Sequence, residues 1–187
     1  MSNSIITQAI TGTCITFSFI LAGNAVTQSF MTIPALVVNF PTPGSTTHTE
    51  RCRLLGAQWP LCWSVGNVFF RPLSMLGFVG YTYAAYSLFR DSHPSSTLAN
   101  SLNSATGEPK GDWRILAVSA ALHLVTVVHS AVNMQPLNDK LENLARAGEK
   151  DLVGAEAVAQ RWGKWNLVRL VNPVVAGVLA LSQLVKS

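Results

Sequence analysis

Two histidines six residues apart, His123 and His129, interrupt an apolar, uncharged stretch of the chain. Neutral imidazole accepts a proton near pH 7. At ~100° per residue, Ser119, His123, Thr126, His129, Ser130 and Asn133 fall on one helical arc of roughly 120°. A second arc centres on Arg169 and gathers Trp162, Trp165, Asn166 and Asn172. A guanidinium is not neutralised in proteins, so Arg169 must pair, snorkel or line a wet pocket. His123 or His129 as base, with Asn133 or Arg169 stabilising a developing oxyanion, makes cofactor-free acid–base chemistry on an apolar substrate the best fit. The same inward polar groups also suit a second role, hydrogen-bonding helices together. Asn24 and Gln28, sharing a face at i,i+4, fit that role too. Trp59, Trp63, Trp162 and Trp165 suit interface anchors or ligand walls.

Cofactor signatures are absent from the sequence. There is no GxGxxG followed by an acidic residue, no phosphate-binding GxxxxGK loop, and no HxxxH or HExxH pair. Cys14, Cys52 and Cys62 form no CxxC and no metal spacing, and are read as buried or free thiols. We expect no metal site.

These residues need elements that hold them in an apolar setting, and the composition supplies that setting. Of 187 residues, 49 % are apolar and 12 % charged, against about 25 % charged in ordinary soluble domains. No formal charge occurs from Met1 to Thr49. A disordered chain is excluded by the hydrophobicity, and an ordinary soluble domain is disfavoured by the scarce charge. One membrane domain over 1–187 is expected, with spans at about 5–38, 73–89, 115–134 and 165–185. The first run has no positive n-region and is too long for a signal peptide, so it reads as a retained span. Leu54–Phe70, with Trp59-Pro60, Trp63 and Asn67, reads as an extra interfacial helix. Pro72 suits a helix start and Pro136 a helix end. Asp91–Gly111 reads as a loop. The predicted fold is therefore all-α, an integral-membrane four-helix bundle with an interfacial helix between the first two spans.

Arg51, Arg53, Arg71, Lys140, Arg146, Lys150, Arg161 and Lys164 fall on one side of this topology, and Arg90, Lys110, Arg114 and Lys186 on the other. The richer side is expected to be cytosolic. The net charge of +4 then reflects topology and contact with anionic lipid, not nucleic acid. Endoplasmic reticulum or another endomembrane is the expected location.

Four segments resemble a known family. They are Gly23–Pro34 (GNAVTQSFMTIP), Arg53–Gly66 (RLLGAQWPLCWSVG), Met134–Leu141 (MQPLNDKL) and Arg161–Arg169 (RWGKWNLVR). In order and spacing they resemble the anthrone oxygenases, small four-helix membrane proteins common in fungal polyketide pathways. The resemblance implies oxidation of a hydrophobic aromatic polyketide, an anthrone, to an anthraquinone, with O2 as co-substrate and no cofactor. Under it, His129 or His123 is the base, and Arg169, Asn133 or Asn166 holds the oxyanion. Trp59, Trp162 or Trp165 stacks on the fused rings, and Asn138 lies within a family-like motif. A second class of function fits the same polar stripe: a non-enzymatic membrane carrier or accessory subunit of such a pathway. The oligomeric state is not legible in the sequence.

Overall fold

The computed structural model describes residues 2–92 and 111–185. The expected loop, with Lys110, and the C-terminal Lys186 lie outside the described residues, apart from the loop's edges. Every regular element described is helical. Helix α1 (Ser2–Thr27) passes through a π turn (Gln28–Thr32) into α2 (Ile33–Val37). Helix α3 (Thr46–Val65) passes through a π turn (Gly66–Phe70) into α4 (Arg71–Ser92). Helix α5 (Trp113–His129) passes through a π turn (Ser130–Met134) into α6 (Gln135–Asn143). A 3-10 turn (Glu149–Leu152) precedes α7 (Ala155–Leu184).

The three π turns share one chemical cause. In each case a proline stands two residues beyond the turn: Pro34, Pro72 and Pro136. Proline lacks an N–H, and its ring collides with the carbonyl four residues earlier. That carbonyl belongs to Phe30, Val68 or Val132, in the middle of each π turn. Widening the turn removes the collision while the helix continues. The sequence reading of Pro72 as a start and Pro136 as an end is corrected accordingly. The expected interfacial helix begins at Thr46 and is continuous with the second membrane helix. Side chains still cap the true starts. Ser45 Oγ accepts from the His48 amide (3.1 Å), and an Asp112 carboxylate oxygen accepts from the Arg114 amide (3.0 Å).

Helices α1, α4, α5 and α7 form a ring in which each packs on the next in chain order, and α7 closes against α1. Small residues permit this closeness. Ala84, Ala120, Ala176 and Ala180 are buried in the inner core with Cys14, Ile15, Tyr81 and Leu116. The outer surface is apolar, as lipid requires: Phe19, Ile20, Leu76, Val79, Leu124, Val128, Val171 and Val178 are exposed. Three stretches, Ile5–Val37, Trp113–Asn143 and Glu149–Leu184, are long and apolar enough to cross a membrane. The fold is a helical membrane bundle.

At one end α3, α6 and the start of α7 build a cap with a second core. Cys52, Leu55, Trp59, Leu137, Leu141, Leu152 and Trp162 fill it. Bulky apolar side chains there replace the alanines of the bundle. Gly56 on α3 faces the Leu144–Ala145 backbone so closely that a Cβ would overlap it. The eight basic residues assigned above to the richer side are carried by the cap or its junction with the bundle. Arg90 and Arg114 stand at the opposite end, where Thr7 Oγ1 donates to Ser87 Oγ (3.1 Å).

Candidate functional site

Where cap meets bundle, a narrow pocket opens. Each π turn contributes to its wall. Gln28 comes from the first, Gly66, Asn67 and Phe70 from the second, and Ser130 and Met134 from the third. Trp63, Arg71, Ser74, Val127, Asn138, Trp162 and Arg169 complete it. Single π turns recur at functional sites because they shift the phase of following side chains. Here they turn polar groups from three helices toward one volume.

The pocket has two guanidiniums. Arg169 is half-buried, and its Nη1 donates to Asn166 Oδ1 (3.2 Å). Asn166 is fully buried and is itself fixed, its Nδ2 donating to the Ala25 carbonyl (3.2 Å) and to Ser29 Oγ (3.0 Å). Helix α1 therefore aims an α7 arginine through an α7 asparagine. Arg71 lines the same pocket. No carboxylate is among the described residues that line the pocket. Two like charges facing one space without a carboxylate favour an anionic or electron-rich ligand.

The aromatic wall is held by one side chain. Asn138 Oδ1 accepts from Trp162 Nε1 (2.7 Å) and from Trp59 Nε1 (3.3 Å). The two indoles meet edge to face at 5.3 Å between centroids. Trp162 faces the pocket, whereas Trp59 lies behind it in a smaller apolar recess. Trp165, one turn from Trp162 and Arg169 on α7, does not line the pocket and is stacked on His129 (5.4 Å, 30°).

Both histidines point inward and neither lines the pocket. His123 is fully buried among α1, α4 and α5. Its Nδ1 donates to the Ser74 carbonyl (3.3 Å), so in the neutral ring Nε2 accepts from the Ser18 hydroxyl (2.9 Å). The Tyr81 hydroxyl lies 3.1 Å from the same Ser18 oxygen. His129 donates from Nε2 to the Trp165 carbonyl (3.0 Å), and its Nδ1 accepts from Asn133 Nδ2 (3.1 Å). His129 and Asn133 thus satisfy one another beside Arg169. Of the residues singled out in the sequence, Arg169, Asn138 and Trp162 meet at the pocket, with Asn166 and Trp59 directly behind them. His123, His129, Asn133 and Trp165 lie elsewhere. The sequence reading did not assign Gln28, Trp63, Asn67, Phe70, Arg71, Ser74 and Ser130 to a common site. The signal available was the proline after each π turn, which marks the level at which the helices open. Among the described residues, no three His, Cys, Asp or Glu side chains converge as a metal-binding group.

The family description "Anthrone oxygenase" matches residues 59–179, from the middle of α3 into α7. That stretch contains every pocket residue except Gln28. A relative named monooxygenase hypC, from Dothistroma septosporum, is 26 % identical over 165 residues, which cover 86 % of this chain and 75 % of that protein. No solved structure matches the chain. The match extends over more than half of the sequence and supports an oxygenase, and the chain belongs to the anthrone oxygenase family.

Proposed function

We propose that this protein oxidises an anthrone-type aromatic polyketide to an anthraquinone with O2, in fungal secondary metabolism, without a resident cofactor. The observation that carries the reading is the pair Arg71 and Arg169 facing one aromatic-walled pocket. An anthrone's ring methylene is acidic because its anion is aromatic. Two guanidiniums favour that anion, concentrating negative charge on the ring oxygen. The electron-rich anion passes one electron to O2. The substrate radical and superoxide combine, forming a carbon–oxygen bond, and protonation gives a hydroperoxide. Loss of water leaves the quinone carbonyl. One oxygen atom enters the product and the other leaves as water. The methylene's two hydrogens leave with it, so no further reductant is required. Trp162 and Phe70 suit the faces of a planar ring system, and Asn138 and Ser130 suit its polar edge.

In this reading the histidines are structural neighbours, and the first proton leaves through water at the pocket mouth. The basic cap faces the cytosol by the bias of Lys and Arg in the loops, and the endoplasmic reticulum is the host membrane. The test is O2 uptake and quinone formation by protein in detergent or nanodiscs, with an anthrone as substrate. Arg169→Gln should lower kcat/KM about 100-fold, the cost of losing one preorganised oxyanion donor. His129→Gln should stay within about tenfold, since general-base removal costs ~100-fold or more. A His129 variant as inactive as the Arg169 variant would make imidazole the proton acceptor and overturn this mechanism.

A further inference from the structure

Two polar atoms in the pocket wall are buried and have no partner: Oε1 of Gln28 and Nε1 of Trp63. Gln28 opens the first π turn, and Trp63 lies in the last turn of α3. Both residues line the main pocket and also the small apolar recess beside it. They therefore stand together at the seam between the two spaces. The neighbouring indoles show how this protein treats a buried N–H. Trp59 and Trp162 share Asn138 Oδ1, whereas Trp63 has no such acceptor. A buried donor and a buried acceptor left without partners are each costly. Of the other residues in the recess, Ile33 and Cys62 offer no strong hydrogen-bonding group, Trp59 and Trp162 donate to Asn138, and the Thr32 hydroxyl donates to the Thr27 carbonyl (3.4 Å).

We propose that Gln28 and Trp63 form a recognition pair for a phenolic hydroxyl on the substrate, an inference that rests on the pocket accepting a fused aromatic as argued above. An indole N–H only donates, and an amide oxygen only accepts. A phenol does both: its O–H donates to Gln28 Oε1 while its oxygen accepts from Trp63 Nε1. A ring ketone leaves Gln28 unsatisfied, and an unsubstituted C–H edge leaves both unsatisfied. The pair therefore selects hydroxylated polycyclic rings over the bare hydrocarbon framework. It also fixes which edge of the ring system enters first, leaving the opposite end beside the arginines. Sites built to bind a hydroxyl reject the analogue lacking it far more strongly than apolar pockets reject size differences.

The test separates binding from turnover. Wild type, Gln28→Leu and Trp63→Phe are placed in nanodiscs and titrated with 2,6-dihydroxyanthraquinone, 1,8-dihydroxyanthraquinone and unsubstituted anthraquinone, followed by protein fluorescence. Wild type should bind at least one hydroxylated ring about 30-fold more tightly than the parent, and each variant should reduce that preference below about threefold. Affinity for the parent ring should change by less than about twofold, which also reports that the variants are folded. No preference in wild type, a preference retained in both variants, or equal losses for all three ligands would overturn the pair. Turnover of 1,8-dihydroxyanthrone is measured alongside. Selective binding without turnover upholds the recognition pair and removes the oxidation reading. Turnover without selective binding does the reverse.

Discussion

Asn138 stabilises two tryptophans with one oxygen atom, and that economy makes it vulnerable. Replacing it with leucine keeps the volume and removes the acceptor. Two buried indole N–H groups would then lack partners, at about 1–3 kcal/mol each. The expected result for Asn138→Leu is a loss of roughly 2–4 kcal/mol, read as a lower Tm in detergent. A Tm unchanged from wild type would mean that the two indoles find other acceptors. Activity should fall as well, because Trp162 forms part of the pocket wall and Asn138 sets its angle. The contrast with His123 and His129 is informative. Each has both ring nitrogens hydrogen-bonded within the protein, so each is already spent on holding helices. An inward side chain is not automatically a pocket side chain.

At the scale of helices, contact depends on missing side chains. A Cβ on Gly77 of α4 would overlap the imidazole of His123 on α5. His123 cannot retreat, since it is tied to Ser74 on one side and Ser18 on the other. Gly77→Ala should therefore push α4 from α5 and weaken the bond to the Ser74 carbonyl, costing about 1–3 kcal/mol as overpacking. Thermal unfolding checks this, and a variant as stable as wild type would show that α4 adjusts freely. Much of this arrangement was legible beforehand. The 100° periodicity placed Ser119, His123, Thr126 and His129 of α5 inward, and they are buried. Val118, Leu124, Val125 and Val128, which fall off that arc, are exposed. That success came from an uninterrupted α-helix against lipid, where the pattern has one physical cause. The pocket was less legible for two reasons. Its residues come from helices whose order around the ring no single stretch of sequence specifies. Beyond each π turn the constant angle per residue also fails, so a wheel drawn through α3 or α5 misplaces the side chains that follow it.

The described residues build two cores made from different materials. The bundle is closed by alanine, glycine, serine and cysteine, the cap by leucine and tryptophan. Water surrounds the cap in the proposed topology, so bulky apolar burial stabilises it there. Lipid surrounds the bundle, and close backbone approach matters more. This division and the basic residues at the cap yield a topological expectation. An N-glycosylation acceptor fused ahead of Met1 should be modified in microsomes, whereas one inserted between Ala147 and Gly148 should not. The opposite pattern would invert the membrane orientation and put the pocket's polar end on the lumenal side.

The three π turns have a mechanical meaning at this scale. They lie at one height, around the pocket, where cap and bundle join. Regular α-helical bonding is interrupted there in three of the four bundle helices, so bending meets least resistance at that waist. The two cores then behave as blocks joined by a compliant collar. A rigid planar guest too wide for the resting gap is admitted by a small tilt of one block against the other, while both lipid-facing surface and capped interior stay intact.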